Sequence, residues 1–466
     1  MNRENLINPA ASTEKIRLVV DRECTLEGAP SSLVAAVRKR LTVKNPKYDA
    51  AVRYGRWVGK QLKPKLYFFR EKNGRLVFPR GFANQAVLLC RNHVGKSPEI
   101  KDNRRLFEPI DIVFSGKLRP YQEQAVAAVL KRSFGVLEAG TGSGKTVMAL
   151  KIIAERRQPT MIIVHSRELL HQWRRRIEEF LGINAGQAGG GKVDIQPVTV
   201  GIVNTVRNKL SELAPHFGHL VVDECHRVPA SLFTDVVSGF DAWYMLGLSA
   251  TAFRREDGMT RIIYTYMGDR VHVVDAEKLV ESGAVVRPAF IQKETAFIYG
   301  YRGEYSKLIK ALAKNEKRND QIVHDIAALL DTNHNGTLLI VSDRIAHCRV
   351  LQEKLMLLGH DASLLTGRIH PEERERIVAG VQAGNVQVLI STLQLIGEGF
   401  DCPGLTTIVL ATPIKFEGRL LQVVGRVMRP LQGKTAMVID YADIKVPVLR
   451  RSAENRKALF DRWGMS

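Results

Sequence analysis

The sequence predicts an α/β protein with two tandem parallel-sheet domains behind a basic N-terminal α+β domain. From Phe134 onward, short apolar runs alternate with amphipathic stretches, as strands and covering helices do in a parallel sheet. The alternation falls into two series, parted by "ESGAVVRPAFIQKETAF", where Gly283 and a Val286-Arg287-Pro288 turn interrupt it. Upstream the alternation is absent and charge dominates. To Lys117 there are 24 Lys and Arg against 11 Asp and Glu, more than half of the chain's net +21. These breaks divide the 466 residues into 1–115, 116–288, 289–446 and a basic C-terminal tail, 447–466.

In the N-terminal part, "KLYFFREKNGRLVFPRG" places two β-prone runs around Asn73-Gly74, a strong hairpin signal. Tyr67, Phe68, Phe69, Phe78 and Phe82 interleave with cations there. Such a composition suits a nucleic-acid face, yet most of these rings are expected in the domain's own core. The first α/β series supplies strands at "FGVLEA", "MIIVHS", "VTVGIV", "HLVVDE" and "MLGLSA"; the second at "TLLIVS", "ASLLTG", "VQVLIS", "TTIVLAT" and "TAMVIDY".

With 45% hydrophobic and 25% charged residues the chain reads as globular, and its excess of cations points to a polyanionic partner through counterion release. Five scattered cysteines, none in a C-x-x-C, argue against a zinc module or disulfide framework and for a reducing compartment. No apolar run reaches the roughly 18 residues of a membrane span and the N-terminus lacks a leader core, so a cytoplasmic, intracellular location is expected.

The chemistry concentrates in two places. "AGTGSGKT" follows the strand "FGVLEA" and opens a helical stretch. Backbone N–H groups of Gly140, Thr141, Gly142, Ser143 and Gly144 would converge on phosphate oxygens. Lys145 would reach the β- and γ-phosphates and the Thr146 hydroxyl would ligate Mg²⁺. Downstream, "HLVVDECH" brings carboxylates to the carboxyl end of a strand: Asp223 for the metal, Glu224 for the attacking water. A Cys225/His226 nucleophile pair lacks an oxyanion hole, and a zinc site there lacks two ligands.

These motifs, with others in order from Leu118 to Asp443, resemble superfamily 2 helicases and translocases, in the XPB-like branch that includes UvsW-type phage and bacterial DNA helicases. "LRPYQEQAV" looks like the adenine-side motif, with Arg119 and Gln122 facing the base. "HSRELLHQW" and "VTVGIVNT" resemble strand-contacting motifs Ia and Ib, through Ser166, Arg167 and Thr205. "LGLSATAFRREDG" carries the coupling pair Ser249 and Thr251 and an R-E-D element. In the second domain Gly367 and Thr392 match backbone-contact positions, and Gly399 and Asp401 match motif V. "QVVGRVMRP" is similar to motif VI, with Gln422, Arg426 and Arg429. Motif Ia departs from the common Pro-Thr, and motif III reads Ser-Ala-Thr-Ala-Phe.

The resemblance implies two RecA-like domains and the cofactors ATP and Mg²⁺, with His226 as a relay between nucleotide and strand. It implies a monomer moving 3′ to 5′ on single-stranded, forked or branched DNA at a nucleoid or viral replication site, with residues 1–115 recognising DNA. An RNA helicase is the alternative. So is the motor of a restriction or defence complex whose nuclease is a separate partner, since the chain has no nuclease motif.

Overall fold

A computed structural model describes residues 15–53, 57–59, 62–225, 230–250, 260–332, 335–367, 369–397, 404–415, 417–431 and 433–464. In the first large sheet the spatial order is Lys192–Asp194, Gly186–Gly189, Val198–Ile202, Thr160–Val164, His219–Val222, Tyr244–Ser249, Phe134–Ala139 and Arg270–Val274. All neighbours are parallel except the edge hairpin Gly186–Gly189/Lys192–Asp194. The central strands are buried on both faces, which explains their unbroken apolar runs. The five strands expected from the sequence are all present. The structure adds Arg270–Val274 and an edge hairpin, and the hairpin is silent in sequence because "AGQAGGGK" offers glycine turns rather than β-branched residues.

The second sheet is parallel throughout, in the order Ala289–Glu294, Met437–Ala442, Leu405–Leu410, Thr337–Ser342, Val388–Thr392, Ala362–Leu365. Residues 447–466, expected as a basic tail, instead supply the helix Pro447–Arg462 that closes this domain. Leu449, Ala453, Leu459 and Phe460 are buried, Phe460 stacks on Phe290 at 4.1 Å, and Arg456 pairs with Asp440 at 2.9 Å. Counting charges alone hid this amphipathic face.

The N-terminal domain is a five-stranded sheet, ordered Arg70–Lys72, Arg75–Pro79, Glu23–Glu27, Arg17–Val20, Glu99–Asp102, carrying helices Ser31–Arg40 and Ala83–Val94. The Asn73-Gly74 hairpin forms, with φ of 51° and 72°, the left-handed pair that a two-residue type I′ turn requires. Phe78 and Phe82 are core, Phe68 and Phe69 pack against it, and Tyr67 is exposed.

This domain is seated on the first parallel sheet. Phe68 meets Tyr266 edge-on at 6.3 Å, and the buried Arg80 guanidinium donates to the Ala242 carbonyl at 2.8 Å. Burial, with Arg104 nearby, brings the Arg80 pKa down to about 10. The folded unit ends near Asp102, and residues 103–118 run as a strap over the first large domain, bonded to Asp241, Arg157 and Phe180. No helix among the described residues is long and apolar enough to cross a membrane.

The closest approach is at Gly81, where a Cβ would stand 2.5 Å from the Gly268 nitrogen and the Tyr266 carbonyl carbon. Both are backbone atoms, so Gly81→Ala is expected to cost about 1–3 kcal/mol of overpacking. Thermal unfolding should then start several degrees lower. An unchanged midpoint would mean the interface yields to a methyl group.

Candidate functional site

The loop after Phe134–Ala139 turns sharply because Gly142 and Gly144 take φ of 86° and 77°, conformations that L side chains resist. It then enters the helix Lys145–Arg156. Its back is braced: the Tyr121 hydroxyl and the Gln122 amide both donate to the Ser143 carbonyl, at 3.0 and 2.9 Å. A Cβ on Gly144 would run into the Gln122 amide nitrogen. The Lys145 ammonium lies 3.1 Å from the Ala139 carbonyl and 3.6 Å from Glu224.

Asp223 and Glu224 form the turn after His219–Val222, beside the loop strand's neighbour. Glu224 has φ of 45°, a strained value for a residue with a side chain, of order 1–3 kcal/mol. Its N–H donates to Asp223 Oδ1 at 2.9 Å. Asp223 Oδ2 accepts from the indole N–H of Trp173 at 2.8 Å. Burial first, and then the Glu224 charge, push the Asp223 carboxyl up to about 6. Cys225 is fully buried, and a Cβ on Gly247 would lie 3.5 Å from its sulfur, so it fills space behind the sheet edge.

The helix Glu417–Val427 of the second domain closes the site. Gly425 packs on the loop so tightly that a Cβ would stand 2.5 Å from Thr141 Cβ. Residues 140–147, Asp223 and Glu224 on one side and Gln422, Arg426 and Arg429 on the other line a single cleft of about 1230 Å³. Burial, and then Arg176 across the domain boundary, lower the Arg429 pKa to about 10.

The donor set suits a magnesium nucleotide. Ser143 Oγ is buried with no partner, at a helix N-terminus whose amides favour anions. Among the described residues no cluster of three His, Cys, Asp or Glu would hold a resident metal. A cation here would rely on Asp223, Thr146 and a substrate's phosphates, the usual arrangement for Mg²⁺.

Several expected residues lie elsewhere. Gln122 sits behind the loop, and the Arg119 guanidinium donates to the Ser282 carbonyl at 3.0 Å; neither lines the cleft. Ser249 is buried at its strand end. Ser166 caps the helix Arg167–Leu181, accepting from the Leu169 N–H at 3.3 Å. Arg167 and Gly367 are exposed, and Thr205 and Thr392 half-buried, all just beyond or at carboxyl ends of strands. His226, Thr251, Gly399 and Asp401 lie outside the described residues, as does the R-E-D element.

Two contributors carried no sequence signal for their roles. Trp173 falls on the apolar spacing Leu170, Trp173, Ile177, Leu181, which reads simply as core. Arg176 belongs to a basic run that reads as a solvated face.

Two family models match: "Type III restriction enzyme, res subunit" over residues 115–254 and "Helicase conserved C-terminal domain" over 321–430. The chain is 26% identical to a DNA 3'-5' translocase XPB2 of Sulfurisphaera tokodaii, across 70% of this chain and 81% of that protein. It is 27% identical to a putative ATP-dependent RNA helicase of Acanthamoeba polyphaga mimivirus, across 76% and 69%. Among solved structures, S. cerevisiae Dbp5 bound to RNA and ADP BeF3 superposes with a TM-score of 0.54 at 18% identity, covering 74% of this chain and 88% of that one, a likeness of fold.

Trp173→Phe keeps the ring and removes the N–H that holds Asp223 in its charged form. Since that bond opposes the upward push of burial, the acid limb of kcat/KM for ATP should move to higher pH by about one unit. Activity at pH 8 should change less than at pH 6. A limb at its wild-type position would separate Trp173 from the chemistry.

Proposed function

Because the chain is a superfamily 2 helicase of the XPB-like branch, an enzyme that hydrolyses ATP, we propose that it couples hydrolysis to 3′-to-5′ movement on DNA. Its work would be to open or remodel forked and branched duplexes in repair, recombination or replication. The observation that carries this reading is the cleft shared by the two parallel-sheet domains, with the phosphate loop and carboxylates on one wall and Arg426 and Arg429 on the other.

Phosphoryl transfer is catalysed chiefly by positioning and charge stabilisation. The loop amides and Lys145 hold the phosphates; Glu224 orients the attacking water and takes its proton. Asp223 and Thr146 would hold Mg²⁺, which supplies charge neutralisation to the phosphates. Arg426 and Arg429 reach the γ-phosphate only while the domains are together, so turnover requires closure. Loss of the bridging phosphate then weakens the closed state, and the domains part. Ser166, Arg167 and Thr205 on one domain and Gly367 and Thr392 on the other emerge at carboxyl edges of their sheets, where they would grip a strand alternately. The mimivirus relative carries the name of an RNA helicase, so RNA is the competing track.

ATP turnover by the purified protein should rise on adding single-stranded or forked DNA. Lys145→Ala and Glu224→Gln should abolish that rise, and Arg426→Ala or Arg429→Ala should lower kcat by about 10³-fold or more if they act as arginine fingers. Stimulation by RNA alone would replace DNA as the track. No stimulation by either nucleic acid would overturn the proposal.

Gly425→Ala tests closure itself. The added methyl group meets Thr141, so the variant should fold normally yet lose most nucleic-acid-stimulated turnover.

A further inference from the structure

The N-terminal domain holds a small unit that neither the cleft nor the domain docking employs. Strands Thr42–Lys44 and Lys65–Tyr67 form a two-stranded antiparallel ribbon, and the chain between them carries the helix Pro46–Arg53 and Trp57. The register sets Lys44 opposite Lys65 and Thr42 opposite Tyr67. Side chains alternate along a strand, so these four share one face while Val43 and Leu66 share the other. Lys44, Lys65 and Tyr67 are exposed; Val43 and Leu66 are half-buried.

Two lysines directly opposed across a ribbon repel one another. Asp49, on the helix Pro46–Arg53, is the one carboxylate among the unit's described residues; those of the adjoining sheet are engaged elsewhere, Glu71 with Arg38, Glu23 with Arg70 and Glu27 with Arg75. Lys47 and Lys63, exposed at the ends of the same unit, add to the positive field. Trp57 is 90% exposed and Tyr67 57%, the two most exposed aromatic rings among the described residues. One edge of the Trp57 ring rests over Gly59, where a Cβ would stand 2.7 Å from it, leaving the rest of the indole in water.

Two lysines and Tyr67 on one ribbon face, with the uncovered Trp57 ring in the connecting chain, match the chemistry of unpaired nucleotides, whose phosphates want charge and whose bases want a flat apolar partner. In a duplex the bases already stack on one another and offer such rings nothing. The ribbon is also held firmly. The buried Asn45 amide donates to the Lys63 carbonyl at 2.8 Å, and the Phe68 N–H to the Leu41 carbonyl at 2.9 Å. Phe68 abuts Tyr266, and Arg261 donates to the Arg40 carbonyl at 2.8 Å, both on the helix Thr260–Met267 of the first parallel-sheet domain.

We propose that this ribbon is a docking surface for a single-stranded stretch of DNA, with Lys44 and Lys65 on phosphates and Trp57 and Tyr67 stacked on bases. A strand held there travels with the first parallel-sheet domain, giving the motor a fixed hold ahead of or behind its moving grip. The inference rests on the reading of the chain as a DNA motor, and separate measurements distinguish them. DNA-stimulated ATP turnover of the wild type tests the motor; equilibrium binding of fluorescent oligo(dT) without nucleotide tests the ribbon.

In the full chain, Lys44→Gln with Lys65→Gln should weaken oligo(dT) binding about tenfold and reduce the slope of log affinity against log salt by about 1.4, two phosphates' worth for a single strand. Trp57→Ala should weaken it about tenfold as well, and Trp57→Phe, which keeps a ring, should restore most of the loss. Thermal midpoints and DNA-free ATP turnover should stay at wild-type values. Wild-type affinity and slope in both the lysine and Trp57→Ala variants would overturn the proposal, as would a wild type that binds no oligo(dT). Equal losses on blunt duplex and oligo(dT) would overturn the assignment to single strands.

Discussion

The contact between Gly425 and Thr141 sets the width of the cleft on which nucleotide chemistry depends. Any side chain at 425 would occupy the space of the Thr141 side chain, so only glycine lets this helix rest on the phosphate loop. With the helix seated there, Gln422, Arg426 and Arg429 stand along one wall and Lys145, Asp223 and Glu224 along the other. Charges that would be scattered on two separate surfaces thereby face a common volume. An arginine acting on a phosphate from the opposite domain is effective only at that spacing, which ties hydrolysis to domain position.

Like charges sit together on both sides of this volume. The Glu224 charge raises the cost of ionising Asp223, and Arg176 opposes the charge on Arg429 across the boundary. A substrate bringing both a cation and a row of phosphates relieves each repulsion at once. On the proposed reading it would therefore bind the closed arrangement better than an open one, the differential affinity that any ligand-driven conformational change needs. The strained backbone at Glu224 and the Trp173 bond to Asp223 hold the carboxylates in place before the substrate arrives.

The N-terminal domain belongs mechanically to the first parallel-sheet domain. Backbone touches backbone at Gly81, and the buried Arg80 guanidinium spans the joint, so the two are packed as tightly as a single core. The chain passes to the second domain through the segment around residues 282–288, where the Val286 N–H bonds the Met428 carbonyl and Val285 packs near the loop at Gly142. Together with Gly425 on Thr141 and the Arg374–Glu168 ion pair at 3.1 Å, these contacts join the cleft to the second domain.

Apolar periodicity, the phosphate-loop pattern and the strand-terminal Asp-Glu pair were all legible in the sequence, because each is written in neighbouring residues. Ten strands and the Asn73-Gly74 hairpin follow from such local patterns. Tertiary structure alone decided where Gln122 and Arg119 point, since their partners, Ser143 and Ser282, are distant in the chain. The same holds for Trp173, whose spacing says core while its N–H reaches a residue 50 positions away. The C-terminal helix reads as a charged tail in sequence because its apolar face has meaning only against Phe290 and Asp440. Sequence thus determined the chemistry available to the chain; folding decided which groups meet, because meeting depends on the packing of residues that no local pattern relates.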